Sequence, residues 1–162
     1  MTELQKKALS EVAKALEVDV LDLFNLINFE SSWNPQAKNP LSSAKGLLQF
    51  TDSTAQWLGY KNSLDLITKN KTIESQLYFP VLQYLTKYKP FQTKQSLYMS
   101  VFYPAARYWL PTKHFPDSVK KVNPGITTVQ SYIDKVDKTK KKIPFEIISL
   151  IAIGLYLLMM KG

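Results

Sequence analysis

From Leu4 to Ile27 apolar residues return at the spacing of one face of a helix, and no stretch of the chain carries the two-residue alternation that a large sheet would need. Thr2 stands where an N-cap belongs, ahead of Leu4, Leu9, Val12, Ala13 and Leu16. Asp19 caps a second predicted helix whose apolar face is Val20, Phe24 and Ile27, broadened by Leu23 and Leu26. Thr51 or Asp52 caps a short helix ending near Gly59. Further helices are predicted over 63–69, 72–88 and 93–109, with Pro80 and Pro104 as kinks in the last two. A Pro-rich loop then runs through Asn123-Pro124-Gly125, and a final helix covers about 127–138. With 162 residues and 45% hydrophobic content, the expected fold is one mainly α domain over 1–138, with at most a short β segment and room for a real core.

The chain changes character at its end. Ile143 to Met160 reads IPFEIISLIAIGLYLLMM, with Glu146 its one charge. Those 18 residues, at a rise of about 1.5 Å each, would span about 27 Å, the thickness of a bilayer core. Being apolar on all sides from Ile147 onward, they are expected to form a C-terminal transmembrane helix over 143–160 rather than a buried core helix. A basic juxtamembrane linker, 139–142, precedes it, and Lys135, Lys138, Lys140, Lys141 and Lys142 would meet anionic head groups there.

Composition removes other classes. The chain has no Cys, so disulfides and thiolate chemistry are excluded. The net charge of +8 leaves anionic lipid, anionic wall polymer and nucleic acid as partners. The aromatics are not interleaved with Lys or Arg as nucleic-acid binding requires, so no nucleic-acid partner is expected. Residues Met1 to Lys7 lack the basic-then-apolar layout of a signal peptide.

The chemistry concentrates at Glu30-Ser31-Ser32-Trp33-Asn34-Pro35 and Gly46-Leu47-Leu48-Gln49-Phe50. Glu30 lies three residues past Ile27 and so projects near the apolar face of its helix, which the Asn34-Pro35 step should end. The alternative is a helix-end Glu tilted into solvent. Cleaving a glycosidic bond needs a proton donor for the leaving oxygen. Apolar neighbours such as Phe29, Trp33 and Leu47 would favour the neutral acid by desolvating its charged form. Asn34 and Gln49 could hold acetamido groups of a sugar. The Gly46 segment reads as a short extended piece, and Asp52 reads as a capping residue rather than a second catalytic carboxylate. His114, the single His, has no obvious ligand partners, and no metal site is expected.

Glu30-Ser31-x-Trp33-Asn34-Pro35-x-Ala37 followed by Ala44-x-Gly46-Leu47-Leu48-Gln49-Phe50 resembles the lytic transglycosylases of the lysozyme-like superfamily, over roughly Phe29 to Ala55. Phe102-Tyr103-Pro104-Ala105-Ala106 looks like the family's third motif, with Pro104 and Ala106 in place of Asn and Gly; Ser43 also stands where a Gly is common. The resemblance implies a lysozyme-like fold and the cutting of peptidoglycan between N-acetylmuramic acid and N-acetylglucosamine with a 1,6-anhydro end. It implies Glu30 as sole acid and base, Ser31 as an orienting residue, Gln49 as a substrate contact, Tyr103 as the hydroxyl close to the acid, and no metal or other cofactor.

The expected anchor and the expected substrate lie on opposite sides of a membrane, because five Lys precede the span and only Lys161 follows it. The run Val101-Phe102-Tyr103-Pro104-Ala105-Ala106-Arg107, with Phe115-Pro116 and Val122-Asn123-Pro124-Gly125-Ile126, resembles phage-encoded members of the family. That resemblance offers a resolution: a single-pass protein of a virion internal membrane, or of the host inner membrane, with capsid or spike proteins as neighbours and local wall penetration at the start of infection as its task. A late-lysis endolysin, a lysozyme-type hydrolase and an inactive structural or wall-binding protein are the alternatives.

Overall fold

A computed structural model describes residues 1–139. Nine α-helices lie among them: α1 Glu3–Leu16, α2 Val20–Ser31, α3 Asp52–Trp57, α4 Ser63–Lys69, α5 Ile73–Gln76, α6 Leu82–Thr86, α7 Lys94–Phe102, α8 Asp117–Val122 and α9 Val129–Lys138. The described residues contain three isolated β-bridges, Lys38–Lys45, Lys45–Phe50 and His114–Thr128.

The helix starts obey local chemistry. Thr2, Asp19, Thr51, Asn62, Thr72, Thr93 and Thr128 each accept a backbone N–H into their side chain at the head of a helix. Four of these, Thr2, Thr72, Thr93 and Thr128, form reciprocal capping boxes. Behind the caps, Leu9, Leu16, Leu23, Leu26 and Ile27 are fully enclosed in one core that Leu47, Leu66, Tyr98 and Tyr132 complete. Enclosing each such Leu contributes about 1.5–3 kcal/mol. The helix α2 runs through the centre, packed against α1, α7 and α9.

Several segments depart from the expectations. The helix α2 stops at Ser31, before the Asn34-Pro35 step, because Ser32 and Trp33 both take left-handed backbone, at φ 51° and 62°. Residues 46–49 form a tight turn between the bridging residues Lys45 and Phe50, not an extended piece, with Gly46 at φ 81° and Gln49 at φ 49°. The predicted helix 72–88 is α5 and α6 joined by a π-helical turn, Leu77–Val81. Pro80 lies in that turn, where its missing N–H removes a rung from the ladder. At Pro104 the predicted helix ends rather than kinks. Tyr103 leaves the helical region at φ −152°, as a residue before Pro does, and a short 3₁₀ turn, Pro104–Ala106, follows. The helix α8 occupies what the sequence suggested was loop.

The mainly helical architecture is consistent with a lysozyme-like α domain. The expected transmembrane segment, 143–160, lies outside the described residues, and no helix among those residues is long and apolar enough to cross a membrane. The fold class of an α domain plus a transmembrane helix is corrected to a mainly α domain, with no membrane-crossing helix among the described residues. The single-pass membrane localisation that depended on that helix is corrected with it.

Candidate active site

Glu30 occupies the last turn of α2. Its residue keeps some solvent access while its carboxyl group is enclosed by protein. Burial penalises the charged form and pushes the carboxyl up to about 7, against a weaker downward pull from one hydrogen bond. The donor is the Tyr132 hydroxyl, 2.7 Å from Glu30 Oε1. No charged side chain among the described residues contributes to the shift. The result is a carboxyl group close to half-protonated at neutral pH, which suits a group that must first give and then take a proton.

Tyr132 is set on the apolar face of α9 with Val129, Ile133 and Val136. Its ring stacks on Phe102, centroids 4.3 Å apart, and meets Phe29 edge-on at 5.4 Å. Burial, followed by the charge on Glu30, holds its hydroxyl well above the ordinary tyrosine range, so it remains a donor throughout the working pH range. Sequence reasoning missed this residue. The available signal was a lone hydroxyl in the middle of an otherwise apolar helix face, since a buried hydroxyl must find a partner.

The residues picked out from sequence are placed as follows. Ser31 is buried and its hydroxyl donates to Ile27 O at 3.1 Å, within its own helix. Asn34 is exposed, and its Oδ1 accepts the Gln36 N–H at 2.9 Å, which shapes the loop after α2. Gln49 is partly exposed, with its side-chain Nε2 donating to Gly46 O at 3.0 Å. The Tyr103 ring packs against Trp109 and Phe115 at 5.7 and 5.8 Å, so the hydroxyl on the acid comes from α9 rather than from this segment. Asp52 is not the cap of α3, a position Thr51 holds. It accepts from the backbone and hydroxyl of Ser63 at 2.9 and 2.6 Å, bonds that keep it below the usual carboxylate range and tie α3 to α4. No metal-binding cluster of His, Cys, Asp and Glu occurs among the described residues.

A second residue missed from sequence joins the two motif segments. Gln76, fully buried at the end of α5, accepts the Leu47 N–H at 2.8 Å. Its amide nitrogen donates to Pro35 O at 2.6 Å and to Asn70 O at 2.9 Å. One side chain thus spans the loop that follows Glu30 and the turn that carries Gln49. Gly46 N–H reinforces the pairing by donating to Ala37 O at 2.9 Å. The Gly at 46 is required twice over: its φ is positive, and a Cβ there would lie 2.7 Å from Gln76 Oε1.

Residues 7–79 match the family described as Transglycosylase SLT domain, a stretch somewhat under half of the chain. It contains Glu30, Gln49 and Gln76 and ends before Tyr103 and Tyr132. Members of that family are lytic transglycosylases, and the match gives this chain an enzymatic function, lytic transglycosylase action on peptidoglycan. No curated protein and no solved structure gives a significant match.

Proposed function

We propose that Glu30 is the single acid and base of a non-hydrolytic cut between N-acetylmuramic acid and N-acetylglucosamine. The observation that carries this reading is the desolvated Glu30 carboxyl, raised to about 7 and held among the described residues by the Tyr132 hydroxyl. Protonated Glu30 gives its proton to the glycosidic oxygen as the bond from the muramoyl C1 breaks, and N-acetylglucosamine leaves as the alcohol. Positive charge at C1 is met by the acetamido oxygen of the same sugar, so no second carboxylate is needed, an arrangement known among substrate-assisted glycosidases. The Glu30 carboxylate then accepts the proton of the muramoyl C6 hydroxyl, whose oxygen closes on C1. The product is a 1,6-anhydro end and the acid is regenerated. Tyr132 is the positioning residue for Glu30. Gln49 and Asn34, with their amides, and Tyr103 are the proposed sugar contacts, and Ser31 steadies the end of α2.

Mass spectrometry of digested peptidoglycan tests the reaction. Anhydro-muramoyl ends are expected from the native enzyme and none from Glu30→Gln, with the fold of that variant intact by circular dichroism. Reducing ends would establish the lysozyme-type hydrolase instead, and activity in Glu30→Gln would remove Glu30 from its role. Delivery to the wall as a phage particle component rests on the sequence resemblance; absence of the protein from purified virions would refute it and favour a late-lysis role.

A further inference from the structure

Between α3, the end of α6 and the Tyr103-Pro104 step lies a groove of about 340 Å³, lined by Ser53, Thr54, Trp57, Tyr84, Lys87, Tyr88, Val101 and Pro104. It is built of rings and cations. Lys87 Nζ sits 4.3 Å from the centroid of the half-exposed Trp57 ring and 5.6 Å from that of Tyr88. Arg107 lies behind, its guanidinium 4.9 Å from Tyr88 and 5.1 Å from Tyr108, with Nη1 donating to Tyr88 O at 2.9 Å. Neither cation forms an ion pair with a carboxylate among the described residues. A cation resting on a ring is oriented by that contact while its remaining N–H groups stay open to an anion.

The groove also adjoins the two segments proposed to contact the sugar. Tyr84 reaches Phe50, the residue after Gln49, at 5.1 Å, and touches Trp57 and Tyr88 at 6.2 and 5.2 Å. At the other wall Pro104 follows Tyr103, which is proposed to contact the sugar. A glycan engaged at Gln49 and Tyr103 would therefore run past Lys87. In peptidoglycan the anionic groups beside the glycan are the carboxylates of the stem peptides carried by muramic acid.

We infer that the Trp57–Lys87–Tyr88 groove is a binding site for a stem-peptide carboxylate, with Lys87, and Arg107 behind Tyr88, as its cationic partners and Trp57 as the apolar wall. This rests on peptidoglycan as the substrate. It makes the enzyme a reader of peptide-bearing strands rather than of bare glycan.

The test is equilibrium binding to the inactive Glu30→Gln protein, with two probes: a muramoyl-containing tetrasaccharide carrying its stem peptides, and the same tetrasaccharide after amidase treatment. The peptide-bearing probe is expected to bind more tightly, by roughly fivefold for each cation engaged, as exposed charge pairs allow. That ratio should shrink with added salt. Adding Lys87→Glu or Arg107→Gln should each cut the ratio, and the pair should bring it near one while leaving affinity for the stripped probe unchanged. Arg107→Lys, which keeps the charge, should retain most of the preference. A ratio near one in the parent protein, or a ratio that survives both substitutions, overturns the inference. Equal losses for both probes would also overturn it, since they would mark a structural effect. The outcome is separable from the reaction chemistry, which the anhydro-end analysis of the native enzyme decides independently.

Discussion

Replacing Tyr132 by Phe isolates the contribution of one hydroxyl to the acid. The ring would keep its stacking on Phe102 and its edge contact with Phe29, so the core around α9 should survive. What is lost is the 2.7 Å bond to Glu30 Oε1, the contact that favours the carboxylate over the neutral acid. Hydrogen bonds to charged groups are worth about 1.5–3 kcal/mol, and about 1.4 kcal/mol moves a pKa by one unit. Part of that is cancelled, because the neutral carboxyl also accepts the bond. A rise of about one unit above the native value near 7 is therefore expected. Glu30 must be protonated to act on the free enzyme, so kcat/KM falls as pH rises through its pKa. In Tyr132→Phe that alkaline limb should move up by about one unit. The assay is turbidity clearance of purified peptidoglycan, or anhydro-end release, measured from about pH 4 to 10 for both proteins. An unmoved limb, or one displaced to lower pH, would refute the assignment of Tyr132 as the group that tunes Glu30. A uniform loss at every pH would reduce it to a structural role.

The same carboxyl has a cost that stability measurements should expose. Its folded pKa, about 7, exceeds the unfolded value of 4.5, so the folded state binds more protons between those limits and stability falls as pH rises through that window. The span corresponds to about 3 kcal/mol once pH exceeds the folded pKa. Glu30→Gln should therefore be more stable than the native protein in chemical denaturation at pH 8, with the difference vanishing below about pH 4; equal stability at pH 8 would contradict the desolvated environment. Gln76→Ala leaves the Leu47 N–H and the carbonyls of Pro35 and Asn70 without their partner and opens a cavity, and about 3 kcal/mol or more should be lost. Gly46→Ala should cost about 2 kcal/mol through its positive φ and the 2.7 Å approach to Gln76 Oε1. Because that clash needs Gln76, Gly46→Ala should cost less in the Gln76→Ala background; additive costs in the double-mutant cycle would show that the two residues do not meet.

The reach of sequence reasoning here follows the reach of the interactions. Thr2, Asp19, Thr72 and Thr93 were legible as helix starts because a cap bonds only two or three residues ahead. The buried face of α2 was legible because its apolar spacing repeats within a dozen residues. The stop of α2 was misplaced because Ser32 and Trp33, neither a Gly, adopt left-handed backbone that their identities do not announce. The turn at 46–49 read as extended because its shape depends on Gln76, 29 residues beyond Leu47. Tyr132 acts on a carboxyl 102 residues earlier. The lone hydroxyl on the apolar face of α9 signals that it needs a partner, but nothing local to α9 names Glu30 as that partner.

Family likeness obeys the same limit in a different way. The matched stretch, 7–79, holds the acid and the Gln76 link, so the elements that shape the loop after Glu30 lie within it. The hydroxyl that bonds the acid lies outside it, on a helix held in place by core packing between α2 and α9. Chemistry at Glu30 therefore depends on how the later helices close over α2. A change in the α9 face, such as at Val129 or Val136, should alter the pH dependence of the acid without touching a residue of either motif. Under the proposed role of Glu30, that separates two layers of the site: residues 30–49 would specify which group reacts, and the packing of α9 the pH at which it can.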